Sequence, residues 1–190
     1  EFILAVRGNL YISNSFTNTI SVINPSSNTV IATIELSASV TQLVVDENEK
    51  IWAISSGTTD FSVDPPVPNN NGKLIRINPE TNTVEAEIEL NTNVSSRLAI
   101  NTTGNTLYIL KGNSVFAIPT SGFSGTLEPI ITQNDAVGFY GIGIQFGSED
   151  IYVGDARGFQ GNGKVYRYLS DGTLIDSFDS GIGPNGFIFR

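Results

Sequence analysis

Three of the chain's ten basic residues, Arg97, Lys111 and Arg157, fall in segments whose neighbours read as turns between strands. Aromatic residues interrupt the same kind of segment: Phe16, Phe61, the pair Phe139-Tyr140, and Phe159. Asn14 and Asp155 accompany them. An aromatic face offers a stacking surface, a guanidinium or ammonium supplies charge and donors, and an amide or carboxylate orients polar groups; together they suit non-covalent recognition. The candidate ligand-binding residues are therefore Asn14, Phe16, Arg97, Lys111, Tyr140, Asp155, Arg157 and Phe159. Two plainer roles stay open, with the aromatics packing between repeats and with Arg97 and Lys111 pairing with acidic neighbours.

Covalent and acid–base chemistry has few carriers. The chain has no His, Cys or Met, which excludes thiolate nucleophiles, disulfides, Cys/His zinc sites and every His-based catalytic arrangement. An enzyme here would need carboxylates around a metal, and the inner strands hold too few acids for that. No catalytic residue, metal or cofactor is assigned, and the expected role is non-enzymatic. Residues 57–72 include Asp60, Asp64 and Asn69-Asn70-Asn71, oxygen ligands that could hold Ca²⁺, but without regular D-x-D-x-D-G spacing. Gly158-x-x-Gly161-x-Gly163 looks like a nucleotide loop. It joins two predicted antiparallel strands, with no helix N-terminus to receive phosphate, so it reads as a flexible loop that can approach a ligand closely.

The elements that must position these residues repeat. Leu10-Tyr11-Ile12, Ile51-Trp52-Ala53, Leu107-Tyr108-Ile109 and Ile151-Tyr152-Val153 are one apolar–aromatic–apolar strand met four times, with the longest interval between the second and third copies. A period of about 40 residues marks a propeller blade. Each copy follows a short apolar segment and a polar turn, and each leads into a second hairpin, as where Ser21-Val22-Ile23-Asn24-Pro25 runs into Asn28-Thr29-Val30. The unit is thus four antiparallel strands, and the fold class is an all-β propeller. Tyr11, Trp52, Tyr108 and Tyr152 are expected in the core, whereas Glu35, Glu85, Glu87 and Glu89 alternate along outer strands as edge protection.

Four blades are expected, at residues 2–36, 40–90, 97–132 and 140–179, with an extra inner strand at 186–190. A lone inner strand cannot close a ring. The expectation is a larger ring, whose closing strands and about two further blades precede this sequence; the alternative is a four-bladed ring with one terminal strand outside any blade. The insertion at 57–72, rich in Pro, reads as a stiff projecting loop.

Residues 18–34 and 74–88 resemble the YVTN repeat of YncE-like, surface-layer-type β-propellers, and Leu10-Tyr11-Ile12-Ser13-Asn14 resembles the YVTN stretch itself. The closing Gly181-Ile182-Gly183-Pro184-Asn185-Gly186-Phe187 is similar to the C-terminus of members that are exported or outer-membrane lipoproteins of Bacteroidetes. The resemblance implies a seven-bladed ring and an extracytoplasmic home at the cell surface or in the periplasm. It implies no single function, because relatives on this fold include surface proteins that capture cobalamin and others that serve as assembly parts.

Nineteen acidic against ten basic side chains give a net charge of −9, which repels phosphate backbones and makes nucleic acid an unsuitable partner. No apolar run approaches the roughly 20 residues that span a bilayer. The sequence therefore predicts a binding propeller that presents a loop face to a small molecule, glycan or protein; the alternative is a structural subunit of an outer-membrane or cell-surface assembly, partnered by an outer-membrane protein.

Overall fold

The computed structural model describes residues 1–122 and 127–189. By internal contacts the chain forms two compact units, Glu1–Ser96 and Arg97–Arg190. Each unit holds two four-stranded antiparallel sheets. No α-helix occurs among the described residues, and none of their elements is a helix long and apolar enough to cross a membrane.

In the first unit, β1 (Ile3–Val6), β2 (Asn9–Asn14), β3 (Thr19–Asn24) and β4 (Thr29–Glu35) form a meander. The second sheet contains β5 (Gln42–Val45), β6 (Ile51–Ser55), β9 (Lys73–Asn78) and β10 (Thr83–Glu89). Between β6 and β9 the chain leaves the sheet as a two-stranded ribbon, β7 (Thr58–Asp60) and β8 (Val67–Asn70). This replaces the irregular projecting loop expected from its prolines: the Thr-rich first arm can pair with the second because Pro65 and Pro66 lie in the connection.

In the second unit, β11 (Leu98–Ile100), β12 (Thr106–Lys111), β13 (Ser114–Pro119) and β14 (Pro129–Thr132) form one sheet. The other is β15 (Phe139–Ile144), β16 (Ile151–Asp155), β17 (Lys164–Tyr168) and β18 (Leu174–Asp179). These are the four-stranded antiparallel blades that the repeat predicts.

Local chemistry repeats with the strands. In the turns between first and second strands, Asp46 accepts from the backbone N–H of Asn48 and Lys50, and Asn101 accepts from those of Asn105 and Thr106, at 2.9 Å throughout. Such side chains compete with the ladder for backbone donors and so end strands. Asn28, Asn82 and Gly172 take positive φ at the next hairpin but one, a conformation that Gly and Asn adopt at least cost. All four ladders between third and fourth strands contain a register shift, which sharpens the twist of the outermost strand.

Period-two alternation directs the core. Tyr11, Ile20, Val22, Leu43, Ile51, Ile75 and Ile77 pack together in the first unit, and Leu110, Val115, Ile142, Val153, Tyr166 and Tyr168 in the second. Trp52 is buried and donates its indole N–H to Asp46 at 2.8 Å. Tyr11 is buried with its hydroxyl 2.8 Å from Asn82 Oδ1. Tyr152 is only half-buried, contrary to its expected place in the core; Phe187 and Phe189 lie against its ring, at 5.9 and 5.1 Å between centroids.

Those two phenylalanines belong to the segment expected as an extra inner strand. Residues 186–189 form no ladder, for want of a hydrogen-bonded neighbour, and Arg190 lies outside the described residues. The tail runs instead over the fourth sheet, where glycines make room. A Cβ on Gly141 would come within 2.5 Å of the Asn185 carbonyl oxygen, and one on Gly143 within 2.8 Å of Phe187 Cβ. One on Gly154 would collide with Pro184.

Candidate functional site

Consecutive strands run antiparallel, so in each sheet the connection between second and third strands and the one leaving the fourth strand emerge at the same end. In the second unit that end collects residues 112–113, 133–138, 156–163 and 180–185. The sequence-predicted residues Arg97, Tyr140, Arg157 and Phe159 lie at this end.

Three of them touch in series. Arg97 donates from Nε to the Tyr140 carbonyl oxygen at 3.0 Å, and its guanidinium carbon lies 5.0 Å from the centre of the Tyr140 ring. The other neighbour of that ring is Phe159, edge-to-face at 5.1 Å and 82°. Quadrupole attraction favours both geometries, each by about 0.5–1.5 kcal/mol. Gly183 closes the series, at φ +63°, where a Cβ would come within 2.9 Å of Phe159 Cε1. Phe159 nevertheless keeps 54% of its surface exposed.

The short 3₁₀ turn Arg157–Phe159 presents this edge. Arg157 and Phe159 both have positive φ, 47° and 60°, a conformation that costs a non-glycine residue about 1 kcal/mol or more. Asp155 holds it. Its carboxylate accepts from the backbone N–H of Arg157 at 2.8 Å and from those of Val137 and Gly138 at 3.1 and 3.2 Å. The side chain is fully buried. Asp155 is therefore corrected from a ligand contact to the anchor that ties two loops together. The Gly-x-x-Gly-x-Gly stretch is an antiparallel connection between β16 and β17, as its sequence context requires.

The remaining candidates do not join this cluster. Phe139 begins β15 and is buried edge-on to Tyr166, at 6.2 Å, so it is core and not loop. Lys111 is exposed at the end of β12 and makes no ion pair among the described residues. Asn14 and Phe16 belong to the first unit. The Asn14 amide donates to Thr19 Oγ1 at 3.0 Å and Ser21 Oγ at 2.9 Å, bracing its hairpin, while Phe16 is 94% exposed.

Electrostatics in the first unit is dominated by ion pairs along β10. Glu85 meets Lys50 at 2.9 Å and Arg76 at 3.3 Å, and Lys73 meets Glu89 at 2.8 Å and Glu87 at 3.3 Å. The hydrogen bond from Lys50, with desolvation opposing it, holds the Glu85 carboxyl below the ordinary range. Glu89, with Glu87 adding to it, raises the Lys73 ammonium. Among the described residues, no group of three or more acidic side chains could hold a metal ion, and Asp60 is engaged by the backbone N–H and hydroxyl of Ser62.

Sequence reading passed over a cavity of about 410 Å³ in the first unit, walled by Ser, Thr and Asn from residues 37–41, 55–58 and 70–73 together with Asn18. It also passed over Gly183 and Pro184, which seat Phe159 and cover Gly154 and Gly163. Their only signal was the run of glycines in β15, β16 and the loop before β17.

A family model described as a domain of unknown function, DUF5074, matches residues 3–181. No curated protein matches the chain. Among solved structures it is similar to the hydrazine synthase of Kuenenia stuttgartiensis, with a TM-score of 0.71 and 13% identity over 92% of this chain and 46% of that one. It is also similar to a quinonprotein alcohol dehydrogenase-like protein from Bacteroides thetaiotaomicron, with a TM-score of 0.70 and 13% identity over 94% of this chain and 45% of that one. The shared fold is the β-propeller. The chain spans under half the length of each.

Proposed function

The chain belongs to the DUF5074 family, and from that premise we propose that it is a non-enzymatic, extracytoplasmic β-propeller that binds a ligand on its loop face. The observation that carries this reading is the Arg97–Tyr140–Phe159 series, a rigid cation–aromatic surface with an exposed stacking edge. Rigid aromatic and Arg groups lose little conformational entropy on binding and dominate recognition surfaces. Arg157, exposed on the same turn, adds a charge that selects for a polar or anionic group beside the stacked one.

The absence of catalysis is supported by the fate of the buried carboxylates. Asp46 is bonded to Trp52 and two backbone donors, Asp150 to Arg167 Nε at 2.8 Å, and Asp155 to three backbone donors. Each is committed to holding structure. With no His or Cys in the chain, imidazole acid–base chemistry and thiolate nucleophiles are unavailable.

YVTN-type repeats of the YncE-like kind support a seven-bladed ring, exported or lipid-anchored at the outer membrane. The apolar side chains open to solvent on the first and fourth sheets fit further blades there: Val30 and Ile31 on β4, and Leu174, Ile175 and Phe178 on β18. The same exposed residues favour the second reading, a structural subunit whose partner covers them.

The test is native mass spectrometry of protein recovered from its source, followed by affinity measurements on a combined Tyr140→Ala, Arg157→Ala, Phe159→Ala variant. A co-purifying small molecule or glycan, lost in a variant with unchanged circular dichroism, is the expected result. A stoichiometric protein partner that the variant still binds would favour the assembly reading.

A further inference from the structure

From the cavity of the first unit, lined by Ser, Thr and Asn, we infer a second binding site, one for a neutral saccharide. Its walls come from three places: the β2–β3 hairpin, the connection between β4 and β5, and the two roots of the ribbon inserted into the second sheet. Asn18, Ser39, Ser55, Thr58, Asn71 and Lys73 represent them. Lining residues include no aliphatic side chain larger than Ala38, no aromatic and no carboxylate. A volume of about 410 Å³ lies within the range of small-molecule sites, roughly 300–1,000 Å³.

The chemistry of the wall selects the ligand. Hydroxyls and carboxamides both donate and accept hydrogen bonds, and with the C–H surface of the same short side chains they match a polyol, whose rings present both. Lys73 is the one charged residue of the lining. Its ammonium is already met by Glu87 and Glu89, and the chain's net charge of −9 adds a repulsive field for anions. Ser55 is 5% exposed and sits on β6, so a hydroxyl is placed at the floor on a rigid strand and not on a loop.

Several contacts brace the walls of the site. Asn93 donates to the Thr58 carbonyl oxygen at 2.8 Å and to Thr59 Oγ1 at 3.0 Å, fixing one root of the ribbon. Gly57, at φ +80°, lets the two roots close up, since a Cβ there would collide with the Asn70 carbonyl. Ser39 Oγ bonds the Ser15 carbonyl, tying the β2–β3 hairpin to the wall.

Two exposed aromatics belong to the same bordering segments. Phe16 is two residues from Asn18 on the hairpin tip, and Phe61, 79% exposed, lies in the connection at the tip of the ribbon whose roots line the cavity. Pyranose rings present an apolar face of C–H groups that stacks on such rings. A hydroxyl- and amide-lined hollow bordered by aromatic-bearing segments is a saccharide arrangement, and it stands independently of the Tyr140 cluster.

The test uses the ¹⁵N-labelled chain titrated with maltotriose, cellotriose and triacetylchitotriose, each up to about 10 mM, where even a weak site is read. At least one trimer is expected to shift amides in 37–41, 55–58 and 70–73. An Asn18→Gly, Asn71→Ala variant is expected to weaken that binding about tenfold or more with an unchanged melting temperature. The Tyr140, Arg157, Phe159 variant is expected to bind the trimer normally, which separates this site from the one above. No shifts with any trimer, shifts confined to other segments, or unaltered affinity in the Asn18, Asn71 variant would each overturn the inference. Tighter binding of trigalacturonate than of the neutral trimers would overturn the neutral assignment.

Discussion

Asp155 ends β16, Phe159 stands four residues on in the loop that follows, and the two have opposite roles. The carboxylate is buried against three backbone N–H groups, so removing it takes the charged acceptor from all three at once. Asp155→Ala is expected to cost about 3 kcal/mol in urea unfolding, since hydrogen bonds to charged groups contribute about 1.5–3 kcal/mol each and are not additive. Phe159→Ala, by contrast, loses one edge contact and a half-exposed ring and is expected to cost less than about 1.5 kcal/mol. A Phe159 variant as destabilised as the Asp155 one would show the ring to be core. Sequence alone put both residues on one loop and could not rank them. Whether an acid at the end of a strand faces water or an amide cluster depends on residues 137 and 138, which the fold brings from another connection.

At the scale of elements, the C-terminal segment is the feature whose logic lies in its partners. Gly141, Gly143, Gly154 and Gly163 form a bed that any side chain would fill, and Pro184 to Phe187 occupy it. Gly154→Ala is expected to lift the tail and lower stability by about 1–3 kcal/mol, the usual cost of overpacking a close contact. Deleting residues 182–190 should abolish most of that penalty, because the three atoms nearest the added methyl all belong to Pro184; thermal melts of the two single changes and the combination measure the coupling. Equal penalties with and without the tail would mean that Gly154 is needed for the strand itself. The strand signals were legible from period, turn residues and alternation, but the ribbon of β7 and β8 was not. Its Pro content argued against pairing, and pairing succeeds because the prolines of its connection fall where no ladder bond is needed.

For the molecule as a whole, tyrosine burial sets the alkaline limit. Tyr11, Tyr108, Tyr166 and Tyr168 all have hydroxyls raised above the ordinary value, and desolvation by burial is the largest cause in each. Tyr168 is raised furthest, with its hydroxyl 2.9 Å from Gln133 Oε1. A group that binds its proton more tightly when folded contributes stability that is fully present below its unfolded value of 10.0. That contribution is lost as pH rises from there through the folded value. Urea midpoints are therefore expected to be flat in this respect up to about pH 9 and to fall steeply above pH 10, with a smaller fall in Tyr168→Phe; an equal fall in that variant would exclude Tyr168 as a contributor. What the sequence determined by itself was the repeated four-stranded blade, because hydrophobic period, strand-ending Asn and Asp, and positive-φ turn residues act within a few residues of one another. Tertiary structure alone decided which polar residues face inward, which aromatics meet, and where Ser, Thr and Asn wall a cavity. Those outcomes depend on loops brought together from distant positions, and the same residue types are equally suited to an ordinary turn.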